Sequence, residues 1–309
     1  MSATLPDFSG LHFLVIGDVM LDTYLFGEVH RISPEAPVPV MAETRREFRP
    51  GGAANVAMNL AGLGAKVTLM GLVGADRSAE ILLDLLTKNG IESIFYPILA
   101  LTTEKTRMVA KGQQMMRLDR EVFFSETLPD HFWEKLQEIM GTARSILVSD
   151  YHKGMITKDF MKKLSANKSA KQSIWVDPKK EDVEAYPGAD WLTPNFEEFK
   201  RICGLEIQNE DEAIEKAFAQ WTWTIPNILV TRSSRGMSAY TPEGYFHAPS
   251  TAKEVYDVSG AGDTVMATMA ACLASGLSVK EAMTWSNKAA ETVIAKQGTI
   301  PVQREWLSA

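Results

Sequence analysis

The sequence predicts an α/β fold: a mostly parallel sheet with helices on both faces, and a second, small β-sheet. Three observations predict it. Short apolar runs alternate with helix-like segments along most of the 309 residues, an order typical of parallel sheets. Most of these runs are continuously apolar, as in strands that are buried on both faces. Residues 23–49 and 94–124 instead alternate β-forming residues with turn residues, and we expect them to form the small sheet.

The main sheet is expected to begin with His12–Gly17, a short apolar strand that ends at Asp18. The further predicted strands are Lys66–Leu72, Ser145–Ser149, Ser173–Asp177, Trp191–Thr193 and Asn227–Thr231. The first helix should follow Gly51 and Gly52 and stop at Gly64, since glycine is common just after a helix. The further predicted helices are Ala79–Asn89, Pro129–Met140, Thr157–Ala166, Phe196–Cys203, Glu210–Gln220, Met266–Leu277 and Val279–Lys296.

Three prolines, Pro34, Pro37 and Pro39, favour edge strands or bends in the first β-rich block. Lys111–Gln113 is the expected turn of the second block. Together the two blocks are predicted to cover the mouth of the main sheet as a lid that excludes water. No linker interrupts the chain, so residues 1–309 are interpreted as a single domain.

The composition excludes several function classes. The chain is 45% hydrophobic and 23% charged with a net charge of −7, which is typical of a soluble globular protein and argues against general nucleic-acid binding. No apolar run reaches the roughly 18 residues of a membrane span, and no signal peptide is apparent. We therefore expect a cytoplasmic protein without a membrane partner. Cys203 and Cys272 lack metal-ligand or redox spacing and are expected to be buried thiols.

The stretch YDVSGAGDTV, residues 256–265, combines a glycine-rich turn with the start of an apolar helix. Gly260, Ala261 and Gly262 leave the amides bare at a helix N-terminus, where anions are stabilised. Asp263 follows directly and is expected to be ionised there, as a base for a nucleophile that approaches a bound phosphate. The alternative is an ordinary glycine-rich turn with an acidic residue in the first helical turn.

A second glycine-rich helix start and the end of the first strand favour a polyol ligand. Gly51 and Gly52 allow close backbone approach, and Asn55 offers both a donor and an acceptor. Asp18 and Asp22 lie at the carboxyl end of a strand, where ligands bind in open α/β sheets. Asp18 could alternatively cap a turn. The absence of a GxGxxG fingerprint argues against a dinucleotide-binding dehydrogenase.

Polar side chains follow several other strands. They lie in Ser149–Gly154, Asp177–Lys180, Thr193–Asn195 and Thr231–Ser233. Asn195 and Glu198 are three residues apart on one helix, which suits a hydrated Mg²⁺ beside phosphates. Each residue alone is explained as a cap or a solvated turn, but the set at one sheet edge favours a phosphate site.

Two motifs carry a family resemblance. GGAANVAMNLAGLG, residues 51–64, and DVSGAGDTV, residues 257–265, resemble the first and second motifs of the ribokinase-like (PfkB) carbohydrate kinases, and the resemblance covers essentially the whole chain. Within that family, SDYHKG, WVDPKK and TPNFEEF are most similar to the D-glycero-β-D-manno-heptose 7-phosphate kinases. Those enzymes supply the heptose precursor of bacterial lipopolysaccharide or related glycans.

The resemblance implies a ribokinase-like fold and ATP-dependent phosphorylation of a sugar hydroxyl, here O1 of heptose 7-phosphate, to give the 1,7-bisphosphate. It implies Asp263 as the base, Gly260, Ala261 and Gly262 as the anion hole, and Asn195 and Glu198 as residues for Mg²⁺ and phosphates. The sugar positions implied are Asp18, Asp22, Gly51, Gly52 and Asn55. The nucleotide positions are Asn195, Thr231, Arg232, Gly236, Gly260, Gly262, Asn287 and Gly298. The resemblance also implies a homodimer that forms through the lid. It does not decide whether the enzyme requires a monovalent cation.

A phosphorylated sugar requires cations. The candidates are Arg107, Lys111, Arg117, Lys153 and Lys179. Of these, Lys179 and Arg107 are expected to converge between the lid and the strand ends, although any of the five could be a solvated surface charge.

Three features depart from the family pattern. Val258 and Ser259 replace the more usual residues of the DTxGAGD motif, and Ser234 stands where an acidic residue is frequent. Heptose kinases are often fused to a C-terminal nucleotidyltransferase, whereas this sequence ends at Ala309, so only the kinase step is assigned. The alternatives are a ribokinase, fructokinase or adenosine kinase of the same family, or a non-catalytic sugar-phosphate-binding protein.

Overall fold

The computed structural model describes residues 4–204, 210–219, 224–252 and 254–307. The strands, in chain order, are β1 (His12–Gly17), β2 (Val19–Ile32), β3 (Pro39–Gly52), β4 (Lys66–Gly74), β5 (Glu92–Ile98), β6 (Thr103–Ala110), β7 (Gln113–Arg120), β8 (Ser145–Ser149), β9 (Ser173–Asp177), β10 (Trp191–Leu192), β11 (Asn227–Thr231), β12 (Met237–Thr241) and β13 (Gly244–Ala248). The helices are α1 (Ala53–Gly62), α2 (Arg77–Lys88), α3 (Asp130–Met140), α4 (Lys158–Ala166), α5 (Phe196–Cys203), α6 (Glu210–Ala219), α7 (Ala261–Ala274), α8 (Val279–Ile294) and α9 (Arg304–Leu307).

The main sheet has the order β13-β12-β11-β10-β9-β8-β1-β4-β5. Neighbouring strands from β11 to β5 pair in parallel, whereas β12 pairs antiparallel with both β11 and β13. Successive residues of β1 enter different cores: Phe13 and Val15 pack into one, Leu14 and Ile16 into the other. Burial on both faces accounts for the continuously apolar strands, and the predicted mostly parallel sheet is confirmed.

The small sheet has the order β3-β2-β6-β7. Two antiparallel hairpins, β2–β3 and β6–β7, join through the parallel pair β2–β6. As the prolines predicted, β3 lies at the edge and begins at Pro39. Lys111 and Gly112 form the β6–β7 turn with φ angles of 52° and 75°. The small sheet therefore comes from two separate segments of the chain, as predicted, and the structure shows that each segment is a hairpin.

The predicted limits of the small sheet need correction. Residues 94–98 were placed in it, but they belong to β5, which pairs with β4 at the edge of the main sheet. At the other end the small sheet extends beyond residues 23–49, because β2 starts at Val19 and β3 continues to Gly52. Alternation identifies a strand without identifying its partner, since either sheet could use the same residues.

Other differences are local. The helix predicted from Met266 begins earlier, at Ala261, so the whole glycine-rich motif lies against its first turn. The sequence did not predict β12, β13 or α9. The predicted helix Glu210–Gln220 corresponds to α6, and its last residue lies outside the described residues. Cys203 and Cys272 are free thiols, half-buried and buried respectively.

Within the described part of the chain, none of the helices combines the length and the apolar content that crossing a membrane requires.

Candidate active site

The candidate site lies where the carboxyl ends of β1, β8, β9 and β10 meet the first turns of α1, α5 and α7. Parallel strands bring their carboxyl ends to one edge of the sheet, so loops that are distant in sequence become neighbours there. The small sheet starts at the same edge, because β2 follows β1 after a single residue and β3 runs directly into α1.

Asp263 is the third residue of α7, and only 4% of it is exposed. Its Oδ2 accepts a 2.6 Å hydrogen bond from Nδ2 of Asn55 at the start of α1. Its Oδ1 is buried and has no hydrogen-bond partner among the described residues. A buried carboxylate oxygen without a donor is costly unless a ligand supplies one. Asp263 is thus held by one oxygen while the other is left for a ligand.

The protonation of Asp263 differs from the prediction. The pKa of Asp263 is raised from 3.8 to about 7. Burial is the main cause and the charge of Asp22 adds to it, while hydrogen bonding by the Asn55 amide and the Tyr151 hydroxyl lowers the pKa. The sequence predicted that the helix N-terminus would keep Asp263 ionised. Burial outweighs the helix terminus here, because desolvation disfavours the charged form. A carboxyl with a pKa near neutrality is suited to accept a proton at that pH.

The two glycines that flank Ala261 before Asp263 differ in whether the structure requires a glycine. Gly260 precedes α7 with a left-handed φ of 79°, and a Cβ there would lie 2.6 Å from Nδ2 of Asn55. Gly262 has no such constraint, since a Cβ on it would meet no atom within 4 Å. Gly260 offers the first-turn amides no side-chain cap, and the Ala261 amide donates to the Val258 carbonyl at 3.2 Å. Open space and uncapped amides therefore coincide at Gly262.

Asp18 and Asp22 are both buried, 7% and 5% exposed. Oδ2 of Asp18 accepts hydrogen bonds from the amides of Tyr151, at 2.8 Å, and Lys153, at 3.0 Å. Burial raises the pKa of Asp18 to about 6 against the effect of these bonds. Asp18 therefore holds the loop after β8, as in the alternative that it caps a turn. Its position at the carboxyl end of β1 also places it at the candidate site.

Asp22 forms a 2.5 Å ion pair with Arg107 of β6, and both side chains are largely buried. The Gly51 backbone approaches this pair so closely that a Cβ would lie 2.6 Å from Oδ2 of Asp22. Gly52 has a φ of 59°, and a Cβ on it would collide with the Asp18 carbonyl oxygen. These glycines let the small sheet join α1 directly beside the two aspartates.

Asn195 and Glu198 form a capping box at the start of α5. Oδ1 of Asn195 accepts from the Glu198 amide at 2.9 Å, and Oε2 of Glu198 accepts from the Asn195 amide at 3.0 Å. Oε1 of Glu198 accepts from Nζ of Lys179 at 2.8 Å. The side-chain oxygen of Asn195 and both oxygens of Glu198 thus accept hydrogen bonds within the protein, and the role of the two residues toward a hydrated metal ion stays a prediction.

Acidic residues crowd together next to this helix. Burial raises the pKa of Asp177, at the end of β9, well above its usual value, and the charges of Asp263 and Glu198 raise it further. Lys179 lowers it. Carboxylate oxygens are ligands that divalent cations such as Mg²⁺ prefer. The described residues contain no cluster of three or more acidic, histidine or cysteine side chains that is arranged to hold a metal by itself.

The predicted nucleotide-side residues are spread over several loops. Thr231 bridges to Asn195 at the end of β11, and Asn287 donates to the Pro249 carbonyl at 2.9 Å. Gly298 donates to Oδ2 of Asp257 at 3.0 Å. Gly236 has a φ of 81° beside the Ala248 carbonyl. Of this set, Gly298 is directly tied to the motif that carries Asp263.

Arg232 was also predicted on the nucleotide side. Only 2% of it is exposed, and its guanidinium bonds Ser238 and Asp211. We therefore do not expect its side chain to contact a nucleotide.

The predicted cations have separate partners, and their convergence on a phosphate stays a prediction. Lys179 pairs with Glu198 and Arg107 with Asp22, and these two share no partner among the contacts of the described residues. Lys111 is exposed in a hairpin turn, and Arg117 pairs with Asp119.

Lys153 instead pairs with Glu121 at 2.9 Å, and Lys105 of β6 lies 3.8 Å from the same carboxylate. Sequence reasoning missed Lys105, whose only signal was its place on a lid strand beside Arg107. It also missed Tyr151, half-buried after β8, whose pKa is raised well above its usual value by the charge of Asp263 and by burial.

Comparison with known proteins shows the family of the chain. Residues 11–306 match the profile of the family described as "pfkB family carbohydrate kinase". The proteins named "Bifunctional protein HldE" from Proteus mirabilis (strain HI4320) and Klebsiella pneumoniae (strain 342) are 42% and 43% identical to the chain and cover 98% of it. The chain spans 64% of the length of each of these two relatives.

Solved structures share the fold at low identity. A structure of phosphofructokinase-2 from Escherichia coli, in complex with substrates and products, has a TM-score of 0.77 at 18% identity, and the match covers 96% of both chains. A ribokinase from Arabidopsis thaliana, complexed with ribose and ATP, has a TM-score of 0.73 at 19% identity and the same coverage. The predicted ribokinase-like fold is confirmed.

Proposed function

The chain belongs to the pfkB family of carbohydrate kinases, and we propose that it transfers the γ-phosphoryl group of ATP to O1 of D-glycero-β-D-manno-heptose 7-phosphate, giving the 1,7-bisphosphate. The observation that carries the proposal is the state of Asp263: buried, held by Asn55 through one oxygen, unpartnered at the other among the described residues, and with a pKa of about 7. The resemblance to heptose 7-phosphate kinases and the similarity to the HldE proteins support this sugar.

In this mechanism, Oδ1 of Asp263 accepts the proton of the attacking sugar hydroxyl. The Asn55 amide keeps Oδ2 in place, so the free oxygen has a defined direction. Positioned general bases contribute typically about 10²- to 10⁴-fold to a rate. Asp18 and Asp22 would accept hydrogen bonds from other sugar hydroxyls, and the Gly51 and Gly52 backbone lets the sugar lie close.

The first turn of α7 would hold the transferring phosphoryl group. The site for it is the open space at Gly262 beside uncapped amides at a helix N-terminus. Phosphoryl transfer depends mainly on alignment and on stabilisation of charge at the phosphate oxygens. Glu198 and Asp177 are the residues that would hold Mg²⁺, a cation commonly bound by one or two carboxylates together with phosphates. When bound, Mg²⁺ neutralises charge on the ATP phosphates.

We now propose that Lys105 and Lys153 bind the 7-phosphate of the sugar. They reach Glu121 from two directions, Lys105 from β6 and Lys153 from the loop that Asp18 organises. Both are partly buried, 17% and 20% exposed at the side chain. A phosphate that replaced the Glu121 carboxylate would meet two ammonium groups. This is the convergence of lid and strand end that the sequence assigned to Arg107 and Lys179.

We also propose a homodimer through the small sheet. Its outer strand β7 exposes Met115, Met116 and Leu118, each at least half exposed, which is unusual for a surface that stays in water. A cytoplasmic location and a dependence on a monovalent cation stay predictions.

One coupled assay tests the function. The purified protein is given ATP and Mg²⁺ with heptose 7-phosphate, ribose, fructose or adenosine, and ADP release is measured for each. We expect rapid turnover with heptose 7-phosphate alone, and a product phosphorylated at O1. Asp263→Asn should lower kcat at least about 100-fold while ATP still binds. Preference for an unphosphorylated acceptor would refute the substrate, and near-normal turnover by Asp263→Asn would refute the base.

A further inference from the structure

Asn59 lies one turn after Asn55 on α1 and is fully buried. Its Oδ1 accepts hydrogen bonds from the amide of Val302 and from the hydroxyl of Thr264, both at 2.9 Å. Its Nδ2 donates to the backbone carbonyl of Asn55 at 2.8 Å and lies 3.4 Å from Oδ1 of the Asn55 side chain. One buried carboxamide thus connects α1, the residue after Asp263, and the chain segment before α9.

The orientation of this carboxamide is determined by its neighbours. A backbone N–H can only donate, so the Asn59 atom that faces Val302 must be the oxygen. A backbone carbonyl can only accept, so the atom that faces Asn55 must be the nitrogen. The same nitrogen faces Oδ1 of Asn55, which leaves the Asn55 nitrogen toward Asp263. A chain of donors and acceptors therefore runs from the Val302 amide to the carboxylate.

We propose that Asn59 is a positioning residue for catalysis: it holds the Asn55 carboxamide with its nitrogen toward Asp263 and so maintains the hydrogen bond that orients the base. Without Asn59, the Asn55 amide is free to turn over and present its oxygen to the carboxylate. Two oxygens would then repel each other, and the ionised form of Asp263 would lose the donor that now lies 2.6 Å from its Oδ2. The inference rests on the proposed role of Asp263 as the base.

The charged and titratable groups that face Asp263 from the surrounding elements compensate only in part for the loss of that donor. Asp22 from β2 raises its pKa, and Asp177 at the end of β9 is a further carboxyl that interacts with its charge. The Tyr151 hydroxyl after β8 favours the ionised form. Loss of the Asn55 bond should therefore raise the pKa of Asp263. Because the base must be ionised, the acid limb of the kcat profile should then move to higher pH.

The test is the pH dependence of kcat for Asn59→Leu, which has a similar size but no hydrogen-bonding group. We expect the acid limb to move up by about 1 pH unit, with most of the wild-type rate regained at alkaline pH. Asn59→Ser is measured in parallel in case the leucine variant does not fold. Thr264→Val is the matched control, because it removes a bond to the same Oδ1 while Val302 still fixes the amide.

The outcomes separate the inference from the function. If the Asn59 variants fold and lose rate equally at every pH, or if Thr264→Val moves the acid limb as far as they do, Asn59 is only structural and the inference is wrong. Failure of the proposed function looks different: Asp263→Asn would itself retain turnover. The inference is supported if the acid limb moves in the Asn59 variants but not in Thr264→Val. The proposed function is supported if Asp263→Asn is inactive.

Discussion

Nδ2 of Asn55 lies 2.6 Å from Oδ2 of Asp263, so the two glycine-rich helix starts, 208 residues apart in the chain, meet at one hydrogen bond. The bond needs Gly260, since a Cβ at that position would lie 2.6 Å from the same nitrogen. The first motif therefore orients the base that the second motif supplies, and the two glycine-rich segments form one functional unit.

Asp263 should make stability depend on pH. Its folded pKa is about 7 against 3.8 in the unfolded chain, so the folded protein keeps a proton that the unfolded chain releases first. The free energy of unfolding should therefore fall as the pH rises from about 4 to about 7, by up to about 4 kcal/mol. Asp263→Asn removes this penalty, and urea unfolding should show the variant to be more stable than the wild type at pH 8.

The comparison at pH 5 and pH 8 is decisive, because the advantage of Asp263→Asn should be larger at pH 8. Asp84→Asn is the control: that residue forms an exposed ion pair with Lys88, which contributes less than about 1 kcal/mol. An Asp263→Asn protein that is less stable than the wild type at pH 8 would contradict a costly buried carboxylate.

Gly260 and Gly262 should respond differently to alanine. Gly260→Ala places a side chain at a φ of 79° and against Asn55, so we expect a loss of at least about 1 kcal/mol in stability and a lower kcat. Gly262→Ala meets no atom and lies in a helix, so its stability should be equal or about 0.5–1 kcal/mol higher.

The kinetics of Gly262→Ala test the anion seat. A methyl group would occupy the space proposed for the phosphoryl group, so kcat/KM should fall although thermal unfolding shows an intact fold. Normal kinetics in this variant would show that the transferring phosphate lies elsewhere.

Lys105→Met and Lys153→Met should weaken binding of phosphorylated sugar specifically. A hydrogen bond between charged groups contributes about 1.5–3 kcal/mol, so each change should raise KM for heptose 7-phosphate by roughly 10-fold or more. KM for unphosphorylated heptose should stay the same. Lys111→Met, in the exposed hairpin turn, is the matched control. An equal rise in KM for both sugars would remove the two lysines from the phosphate subsite.

Lys179 and Glu198 should affect the nucleotide side instead. Their 2.8 Å ion pair lies at the start of α5 next to Asp177. Glu198→Gln should raise the Mg²⁺ concentration needed for half-maximal rate, and Lys179→Met should change KM for MgATP without changing preference between phosphorylated and unphosphorylated sugar. Glu197→Gln, an exposed neighbour paired with Lys200, is the control for helix charge. If Lys179→Met alters KM for the phosphosugar alone, the original assignment of Lys179 to the sugar phosphate is right.

Much of the fold was predictable because its signals are local. Continuous apolar runs reflect strands buried on both faces, and β1 shows it by sending Phe13 and Leu14 into opposite cores. The limits of the small sheet were less predictable. The pattern of residues 94–98 indicates a strand but does not indicate which strand it pairs with. The antiparallel pair β12–β13 was missed because both strands are only five residues long and mix polar with apolar residues, so neither shows a continuous apolar run.

The sequence alone determined the chemical groups of the site: a glycine-rich helix start with an adjacent carboxylate, a second helix start with an asparagine, and carboxylates after a strand. These signals are local, since they arise from backbone freedom and helix termini. Only the tertiary structure decided how the groups are paired. It put Lys105 and Lys153 on one carboxylate, committed Asn195 to a helix cap, and buried Asp263 until its pKa reached about 7. Burial and ion pairing depend on which distant segments become neighbours, and no local pattern in the chain contains that information.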